Sequence, residues 1–219
     1  MKVYIDGQVS SGDDARIPVV DHGLLYGDGV FEGIRVFGGK PFMLEEHLTR
    51  MVHGMRSVHL TLPGGVARLR EAVLTTVAAH AAPSAYVRLI ATRGDGALGI
   101  DTSSCPAPRV ICIVDDIKIF PEDERRAGIS MATVSTRRPP SDVLDPRVKS
   151  LNYLNNVLAR VEARQRGAAE ALVLNARGHI AEASCANLFV VHGERVATPP
   201  VTDGCLEGIT RAAVLGLAK

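Results

Sequence analysis

The sequence lacks the features that mark membrane, secreted and nucleic-acid-binding proteins. No apolar run approaches the roughly 20 residues that a membrane-spanning helix needs. The first residues, MKVYIDGQVSSGDD, lack the apolar stretch of a signal peptide. The formal net charge is only +1, with no basic stripe or acidic tail. The four cysteines form no CxxC pair, so we expect neither a disulfide framework nor a zinc site. These absences predict a cytoplasmic protein that binds no nucleic acid and no membrane.

Several widespread catalytic motifs are also missing. The chain contains no HExxH zinc motif, no GxSxG nucleophile turn and no P-loop. Residues 94–99, GDGALG, have the glycine spacing of a dinucleotide-binding loop, but IDTSSCPAP follows where that loop needs a helix. His47, His53 and His59 are six residues apart, which turns each about 120° away from the previous one on a helix. We therefore expect a plain glycine-rich loop and no metal site.

What is present is an ordinary globular composition, with 46% hydrophobic residues, enough for a sizeable core. β-Branched runs predict strands, with tight turns at Asp6-Gly7 and Gly38-Gly39. Apolar residues at steps of three or four predict two helices in the N-terminal half, one marked by Leu44, Leu48, Met51, Met55 and Val58 and the next by Leu69, Val73 and Val77. These elements follow one another without a regular strand–helix–strand repeat, which indicates an α+β fold. The charged, proline-containing stretch 121–128 is interpreted as a linker between an N-terminal lobe, 1–120, and a C-terminal lobe, 129–219.

One helix is predicted directly after the stretch DPRVKS. Its apolar residues keep helical spacing: Leu151, Leu154, Leu158 and Val161. We expect these side chains to be buried, and the helix to end near Gly167. Tyr153 lies four residues after Lys149, about one helical turn, so both would share one side of a helix that starts this early.

Residues in other parts of the sequence indicate a chemical role for Lys149. Glu182 opens EASCAN, an acid in a small and apolar setting, and GIT at 208–210 begins a helix whose amides suit a phosphate. Arg50, on a predicted helix, could add a cation to that phosphate. A lysine for covalent attachment, an acid for a pyridine nitrogen and an anion cradle are the parts of a pyridoxal phosphate site. Each residue alone fits a solvated charge or a turn equally well.

The sequence resembles the class IV, fold-type IV pyridoxal-phosphate aminotransferases, and most of all the branched-chain amino acid aminotransferases of bacteria and archaea. The matching stretches stand in the family order: YGDGVFEGIRVF, HLTRM, AYVRLIATRGDGALGID, DPRVKSLNYLNN, EALVLNARGHIAEASCANLFVV and LEGITR. The resemblance implies a two-lobed fold like that of D-amino acid aminotransferase, a homodimer, and amino acid and 2-oxo acid substrates. Relatives continue further, so a second lobe truncated at the C-terminus is expected.

The resemblance also assigns roles to residues. Lys149 would hold the cofactor covalently and act as the base, which requires a depressed lysine pKa. Glu182 would pair with the pyridine nitrogen, and Tyr153 would bind the ring oxygen. The remaining cofactor-binding residues would be Arg50, Leu206, Gly208, Ile209 and Thr210. The substrate would meet Tyr26, Phe31, Arg35, Tyr86 and Arg88.

The sequence and the family resemblance are compatible with three functions. The first is transamination of L-leucine, L-isoleucine and L-valine with 2-oxoglutarate, which the stretch TRGDGALGID favours. The second is a D-amino acid aminotransferase or an aminodeoxychorismate lyase, for which Arg35 and Arg88 are the residues to test, because substrate carboxylates need a cation. The third is a truncated family member that performs no catalysis.

Overall fold

The computed structural model describes residues 1–117 and 122–218. The chain forms two compact units: Met1–Lys118 with Lys149–Leu151, and Ile119–Val148 with Asn152–Lys219. The predicted linker begins outside the described residues and continues as a short helix, Glu122–Ala127. Lys219 also lies outside them.

The first unit is built on an antiparallel sheet. Its strands are β1 (Lys2–Ile5), β2 (Gln8–Ser11), β3 (Gly29–Phe37), β4 (Lys40–Pro41), β5 (Ser84–Thr92) and β6 (Arg109–Asp115). They lie in the order β2-β1-β6-β5-β3-β4, and each neighbouring pair is antiparallel. Both predicted hairpins are confirmed, since Asp6-Gly7 joins β1 to β2 and Gly38-Gly39 joins β3 to β4. All four turn residues have positive φ, which is what tight hairpin turns require.

Three helices complete the first unit. They are α1 (His22–Tyr26), α2 (Leu44–Ser57) and α3 (Gly65–His80). α2 packs against β3 and α3, while α3 also packs against β1, β5 and β6. Of the apolar residues that predict these two helices, six are buried, namely Leu48, Met51, Met55, Leu69, Val73 and Val77, while Leu44 and Val58 are half-buried. Glu45 and Glu46 in the first turn of α2 favour its N-terminus through the helix dipole.

The second unit mixes parallel and antiparallel strands. Its elements are α4 (Glu122–Ala127), β7 (Met131–Arg137), α5 (Leu154–Gln165), β8 (Glu170–Leu174), β9 (Ile180–Ala183), β10 (Val190–His192), β11 (Arg195–Ala197) and α6 (Ile209–Leu217). β7 is parallel to β8, β8 is antiparallel to β9, and β10 and β11 form a hairpin. The crossover helix α5 packs on β7 and β8. The predicted α+β class is confirmed, because helices accompany sheets whose strand pairs are antiparallel except for β7 with β8.

The prediction of which face of α5 is buried was wrong. Leu154 is 69% exposed and Leu158 is 51% exposed, and the buried residues are Asn156, Ala159 and Ala163. Small side chains let α5 approach β7 and β8 closely. The spacing of the leucines identified a helix, but the same period fits either face, so spacing could not decide which face packs.

The expected shared helical face of Lys149 and Tyr153 was also wrong. α5 begins only at Leu154, with Tyr153 as its N-cap residue. Lys149 lies in an extended segment beside β3, because the carbonyl of Lys149 accepts from Phe31 N at 2.9 Å and Leu151 N donates to Gly29 O at 3.0 Å. This pairing replaces the helical turn that the sequence suggested.

Glu162 fastens α5 to β7 through backbone amides. Its carboxylate accepts from Ser135 N at 2.7 Å, from Ser135 Oγ at 2.9 Å and from Thr136 N at 3.2 Å. The hydrogen bond from the backbone of Ser135, followed by the side-chain bond and the Thr136 amide, lowers the pKa of Glu162 to about 2. A folded-state pKa below the ordinary 4.5 means that the ionised carboxylate stabilises the fold above that pH.

We expect Glu162→Gln to lower the melting temperature at pH 7, because a neutral amide is a weaker acceptor than a carboxylate. The difference in melting temperature between wild type and variant should shrink as the pH falls from about 4.5 to about 2, because the wild-type carboxylate gains its proton in this range. Thermal unfolding at pH 7 and pH 3 measures both values. Glu194→Gln, at the exposed turn between β10 and β11, is the matched control. An equal gap at both pH values would contradict this account.

Candidate active site

In the first unit, the basic side chains of Lys149 and Arg88 both contact the ring of Phe31. The Lys149 amine lies 4.5 Å from the centroid of the Phe31 ring, and the Arg88 guanidinium carbon lies 4.4 Å from it. Both distances are in the range of cation–π contacts. Phe31 is only 4% exposed, so the ring is a fixed surface for both groups. The structure therefore brings three predicted site residues together.

The register of β3 and β5 explains this grouping. Gly33 lies opposite Arg88, and Arg35 lies opposite Tyr86. Since side chains alternate along a strand, residues 31, 33 and 35 share one face with residues 86 and 88. The other face of β3 carries Val30, Glu32, Ile34 and Val36, all of which are buried. Four of the predicted substrate residues, Phe31, Arg35, Tyr86 and Arg88, thus lie on the face opposite to Glu32.

Gly33 is a glycine because Tyr86 occupies the space above it. A Cβ at Gly33 would lie 2.1 Å from the Tyr86 hydroxyl oxygen and 2.9 Å from Cζ. The same hydroxyl lies 3.5 Å from Arg88 Nη2. The missing side chain at position 33 therefore fixes where Tyr86 lies beside Arg88.

We expect Gly33→Ala to move the Tyr86 ring and to lower kcat/KM for amino acid substrates by up to about 10²-fold, since displacements of about 1 Å can have this effect. Steady-state kinetics measures the loss, and circular dichroism verifies folding. Gly216→Ala is the matched control, because a Cβ at Gly216 meets no atom within 4 Å. Unchanged kinetics in a folded Gly33→Ala protein would show that the position of Tyr86 is unimportant.

Arg35 and Tyr26 make contacts of their own. The Arg35 guanidinium lies 4.9 Å from the centroid of Phe37, and its Nη2 donates to Ser84 Oγ at 3.4 Å. The Tyr26 hydroxyl accepts from Gly99 N at 2.7 Å, which ties α1 to the glycine-rich loop predicted at 94–99. That loop is followed by a single 3₁₀ turn at Thr102–Ser104 rather than by an α-helix, so its interpretation as a plain loop is confirmed.

Arg50 is held by a buried acid that the sequence reasoning missed. Glu32 is fully buried and accepts from Arg50 Nε at 2.8 Å and from Arg50 Nη2 at 2.6 Å. His47 Nδ1 lies 2.8 Å from the same carboxylate. Burial by itself would raise the pKa of Glu32, but the hydrogen bonds from His47 and Arg50 outweigh it and hold the pKa below its ordinary value. Arg50 is thus a fixed cation on α2.

Glu182 is the centre of the second unit's polar cluster. It lies on β9, is 3% exposed, and its Oε1 accepts from Arg138 Nη2. Its Oε2 accepts from Leu206 N at 3.1 Å and lies 3.4 Å from Asn187 Nδ2. Three donors therefore converge on one buried carboxylate. Arg138 and Asn187 were not predicted, although Asn187 ends the stretch EASCAN, five residues after Glu182.

The N-terminus of α6 offers backbone amides. Gly208 is its N-cap residue, makes no side-chain cap, and is followed by Ile209 and Thr210 with no acid in the first turn. The first amides of a helix have no partner within it and carry partial positive charge. A Cβ at Gly208 would lie 1.9 Å from Asn187 Oδ1, so a larger residue would have to displace the Asn187 side chain. Asn187 Nδ2 also donates to Leu206 O at 2.9 Å, which links this helix start to Leu206 and Glu182.

These donor sets suit a phosphorylated pyridine cofactor. A carboxylate offers about four lone-pair positions, and the three donors on Glu182 leave one for a ring N–H. The uncapped start of α6 suits a phosphate. Among the described residues, no group of three or more His, Cys, Asp or Glu side chains could hold a metal ion, and no helix there is long and apolar enough to span a membrane.

Comparison with known proteins identifies the family. The sequence profile of amino-transferase class IV matches residues 29–219. A putative branched-chain-amino-acid aminotransferase of Methanocaldococcus jannaschii is 44% identical over 220 residues, which cover 100% of this chain and 75% of that protein. The chain belongs to the class IV aminotransferase family.

Two solved structures are similar along the whole chain. The branched-chain aminotransferase of Thermoproteus uzoniensis with norvaline has a TM-score of 0.91 and 34% identity, covering 100% of this chain and 74% of that one. The 4-amino-4-deoxychorismate lyase of Pseudomonas aeruginosa has a TM-score of 0.85 and 32% identity, covering 99% of this chain and 77% of that one. This chain therefore spans about three quarters of the length of these relatives.

Proposed function

We propose that the protein catalyses pyridoxal-phosphate-dependent transamination between branched-chain L-amino acids and 2-oxoglutarate. The observation that carries the proposal is the placement of the Lys149 amine and the Arg88 guanidinium on one buried aromatic ring. A reactive amine beside a carboxylate-binding cation on an apolar surface is the chemistry that an amino acid with an aliphatic side chain needs. Similarity to enzymes described as branched-chain aminotransferases supports the same substrates.

Several residues would hold the cofactor. Lys149 would attach to it, Glu182 would accept a hydrogen bond from its pyridine N–H, and Tyr153 would bind its ring oxygen. Arg50 and the start of α6, at Ile209 and Thr210, would hold the phosphate. A related branched-chain amino acid aminotransferase, 32% identical to this chain, was solved with pyridoxamine 5'-phosphate, which supports this choice of cofactor. Leu206 and Gly208 would complete the apolar and backbone contacts.

The chemistry divides between the cofactor and these side chains. The bound cofactor supplies an electron sink that stabilises negative charge at the substrate α-carbon. Lys149 would take the proton from that carbon on its amine nitrogen and return a proton on the way to product. Glu182, as an anion, keeps the pyridine nitrogen protonated. Arg88 binds the substrate carboxylate by charge-assisted hydrogen bonds.

The apolar and aromatic residues would select the substrate side chain. Phe31 and Tyr86 present hydrocarbon beside Arg88, and a branched aliphatic group gains free energy by leaving water there. Tyr26 and Arg35 would contribute at the edge of this surface. We also infer that the protein is cytoplasmic and works as a homodimer, as the scattered cysteines and the family resemblance suggest.

A substrate panel tests the proposal. The purified chain is given pyridoxal phosphate, its visible spectrum is recorded, and 2-oxo acid formation is followed with L-leucine, L-isoleucine, L-valine, D-alanine and aminodeoxychorismate. We expect a yellow protein that turns over the three branched-chain L-amino acids with 2-oxoglutarate. Turnover of D-alanine or aminodeoxychorismate alone would replace this proposal by one of the other class IV activities. A colourless, inactive protein would support a non-catalytic role.

A further inference from the structure

We propose that Arg138 is a positioning residue that keeps Glu182 ionised and fixes its carboxylate for the cofactor's pyridine nitrogen. The inference rests on the proposed function, because it assumes that Glu182 faces that nitrogen. Its basis is the buried contact between Arg138 Nη2 and Glu182 Oε1. The two side chains are 9% and 3% exposed, so this charge pair is almost entirely shielded from solvent.

Sheet geometry places Arg138 for this task. Arg138 follows the last residue of β7 directly, and its backbone N–H donates to Leu174 O on β8 at 2.9 Å. Glu182 lies on β9 and pairs with Val173, the neighbouring residue of β8. The arginine side chain therefore reaches across β8 to the acid. Strand pairing fixes both Cα positions.

The guanidinium is held from a second side as well. Arg138 Nη1 donates to Asn155 Oδ1 at 3.3 Å, and Asn155 Nδ2 donates to Arg137 O at 2.9 Å. Asn155 lies in the first turn of α5, two residues after Tyr153. The cation is thus oriented by α5 and β8 before it contacts the acid. A cation held in place by its own partners can define the position of Glu182 Oε1.

Burying the Arg138–Glu182 ion pair costs free energy, because both charges leave water. Arg138 Nε is buried and has no hydrogen-bond partner among the described residues. Replacing a buried ion pair with apolar residues is often neutral or stabilising, so stability alone does not account for this arrangement. The unpaired Nε adds to the free-energy cost of burying the guanidinium. A functional requirement for its positive charge accounts for an arrangement that stability does not explain.

The requirement follows from the chemistry of Glu182. The other two donors, Leu206 N and Asn187 Nδ2, are neutral groups. An anion with only neutral donors is costly in a low-dielectric interior, and a positively charged donor offsets that cost. A neutral Glu182 could no longer hold a proton on the pyridine nitrogen. Arg138 supplies the positive charge that keeps Glu182 an anion, while Glu182 Oε2 receives the two neutral donors.

The test compares variants that separate charge from hydrogen bonding. Arg138→Gln keeps donor groups and removes the charge, whereas Arg138→Lys keeps the charge. The full-length chain is loaded with pyridoxal phosphate labelled with ¹⁵N in the ring, and the ¹⁵N chemical shift reports whether the nitrogen is protonated. We expect a protonated nitrogen in wild type and in Arg138→Lys, and an unprotonated one in Arg138→Gln. Arg138→Gln should also retain the cofactor about tenfold less tightly in equilibrium dialysis.

Arg147→Gln is the matched control, because Arg147 follows in the same connecting segment and forms an exposed pair with Asp145. It should leave the nitrogen protonated. Circular dichroism verifies folding, and Arg138→Met replaces Arg138→Gln if the latter does not fold. A protonated nitrogen in either folded uncharged variant would overturn the inference, as would an unprotonated nitrogen in folded Arg138→Lys. Failure of every uncharged variant to fold would make Arg138 a structural residue and would also overturn it. A wild-type protein that binds no cofactor would instead refute the proposed function itself, and the inference with it.

Discussion

Replacing Lys149 by alanine is expected to lower transamination by about 10²- to 10⁴-fold, the usual contribution of a positioned acid–base group. The visible absorbance of the bound cofactor should change as well, because the covalent attachment is lost. The amine lies on the Phe31 ring beside Arg88, and the other lysines among the described residues, Lys2 and Lys40, lie on β1 and β4. Initial rates with L-leucine and 2-oxoglutarate, together with a spectrum of the loaded protein, measure both effects.

Lys40→Ala is the control for this experiment. Lys40 is exposed on β4 in the same unit, so its removal should leave both the rate and the spectrum unchanged. Full transamination by a folded Lys149→Ala protein would end the assignment of Lys149 as the base.

The second large effect is expected at Glu32. Glu32→Gln should lower the free energy of unfolding by about 3–5 kcal/mol, because it removes the negative charge of a buried ion pair. Arg50, with only 14% of its side chain exposed, would lose the carboxylate that its Nε and Nη2 contact. Urea unfolding followed by circular dichroism measures the difference.

The pH dependence of this effect has a defined sign. The pKa of folded Glu32 lies below its ordinary value of 4.5, so its contribution to stability is present above that pH and is lost as the pH falls further. The difference between wild type and Glu32→Gln should therefore shrink in acid. Glu45→Gln is the matched control, since Glu45 on α2 pairs with Arg70 on α3 through two hydrogen bonds but is exposed. Exposed pairs contribute little to stability. Equal destabilisation by both variants would contradict the importance of burial.

The local elements of this fold could be predicted from the sequence. Turn residues marked the two hairpins of the first unit, and apolar spacing marked α2 and α3, because both signals act over a few neighbouring residues. The buried face of α5 could not be predicted in this way. Leu154 and Leu158 are exposed while Ala159 and Ala163 pack, and that choice depends on how closely β7 and β8 approach the helix.

The supporting residues of the candidate site were missed for a related reason. Glu32 stands in an alternating strand at a position that predicts an apolar side chain, and its partner Arg50 lies 18 residues further on. Arg138 and Glu182 are separated by 44 residues. Such pairs become visible only when strand register and helix position are known. The residues that the family resemblance assigns could be named in advance, but the groups that orient them could not.

Chemical mapping of the attachment site shows whether Lys149 is the residue that holds the cofactor. The chain has five lysines, at positions 2, 40, 118, 149 and 219. The protein is incubated with pyridoxal phosphate near stoichiometry, reduced with borohydride, digested, and examined by peptide mass spectrometry. We predict that the phosphopyridoxyl group is found on Lys149 and that L-leucine added before reduction prevents the labelling. Labelling spread over the other four lysines, or a Lys149 peptide that stays unmodified, would show that Lys149 is not the attachment site.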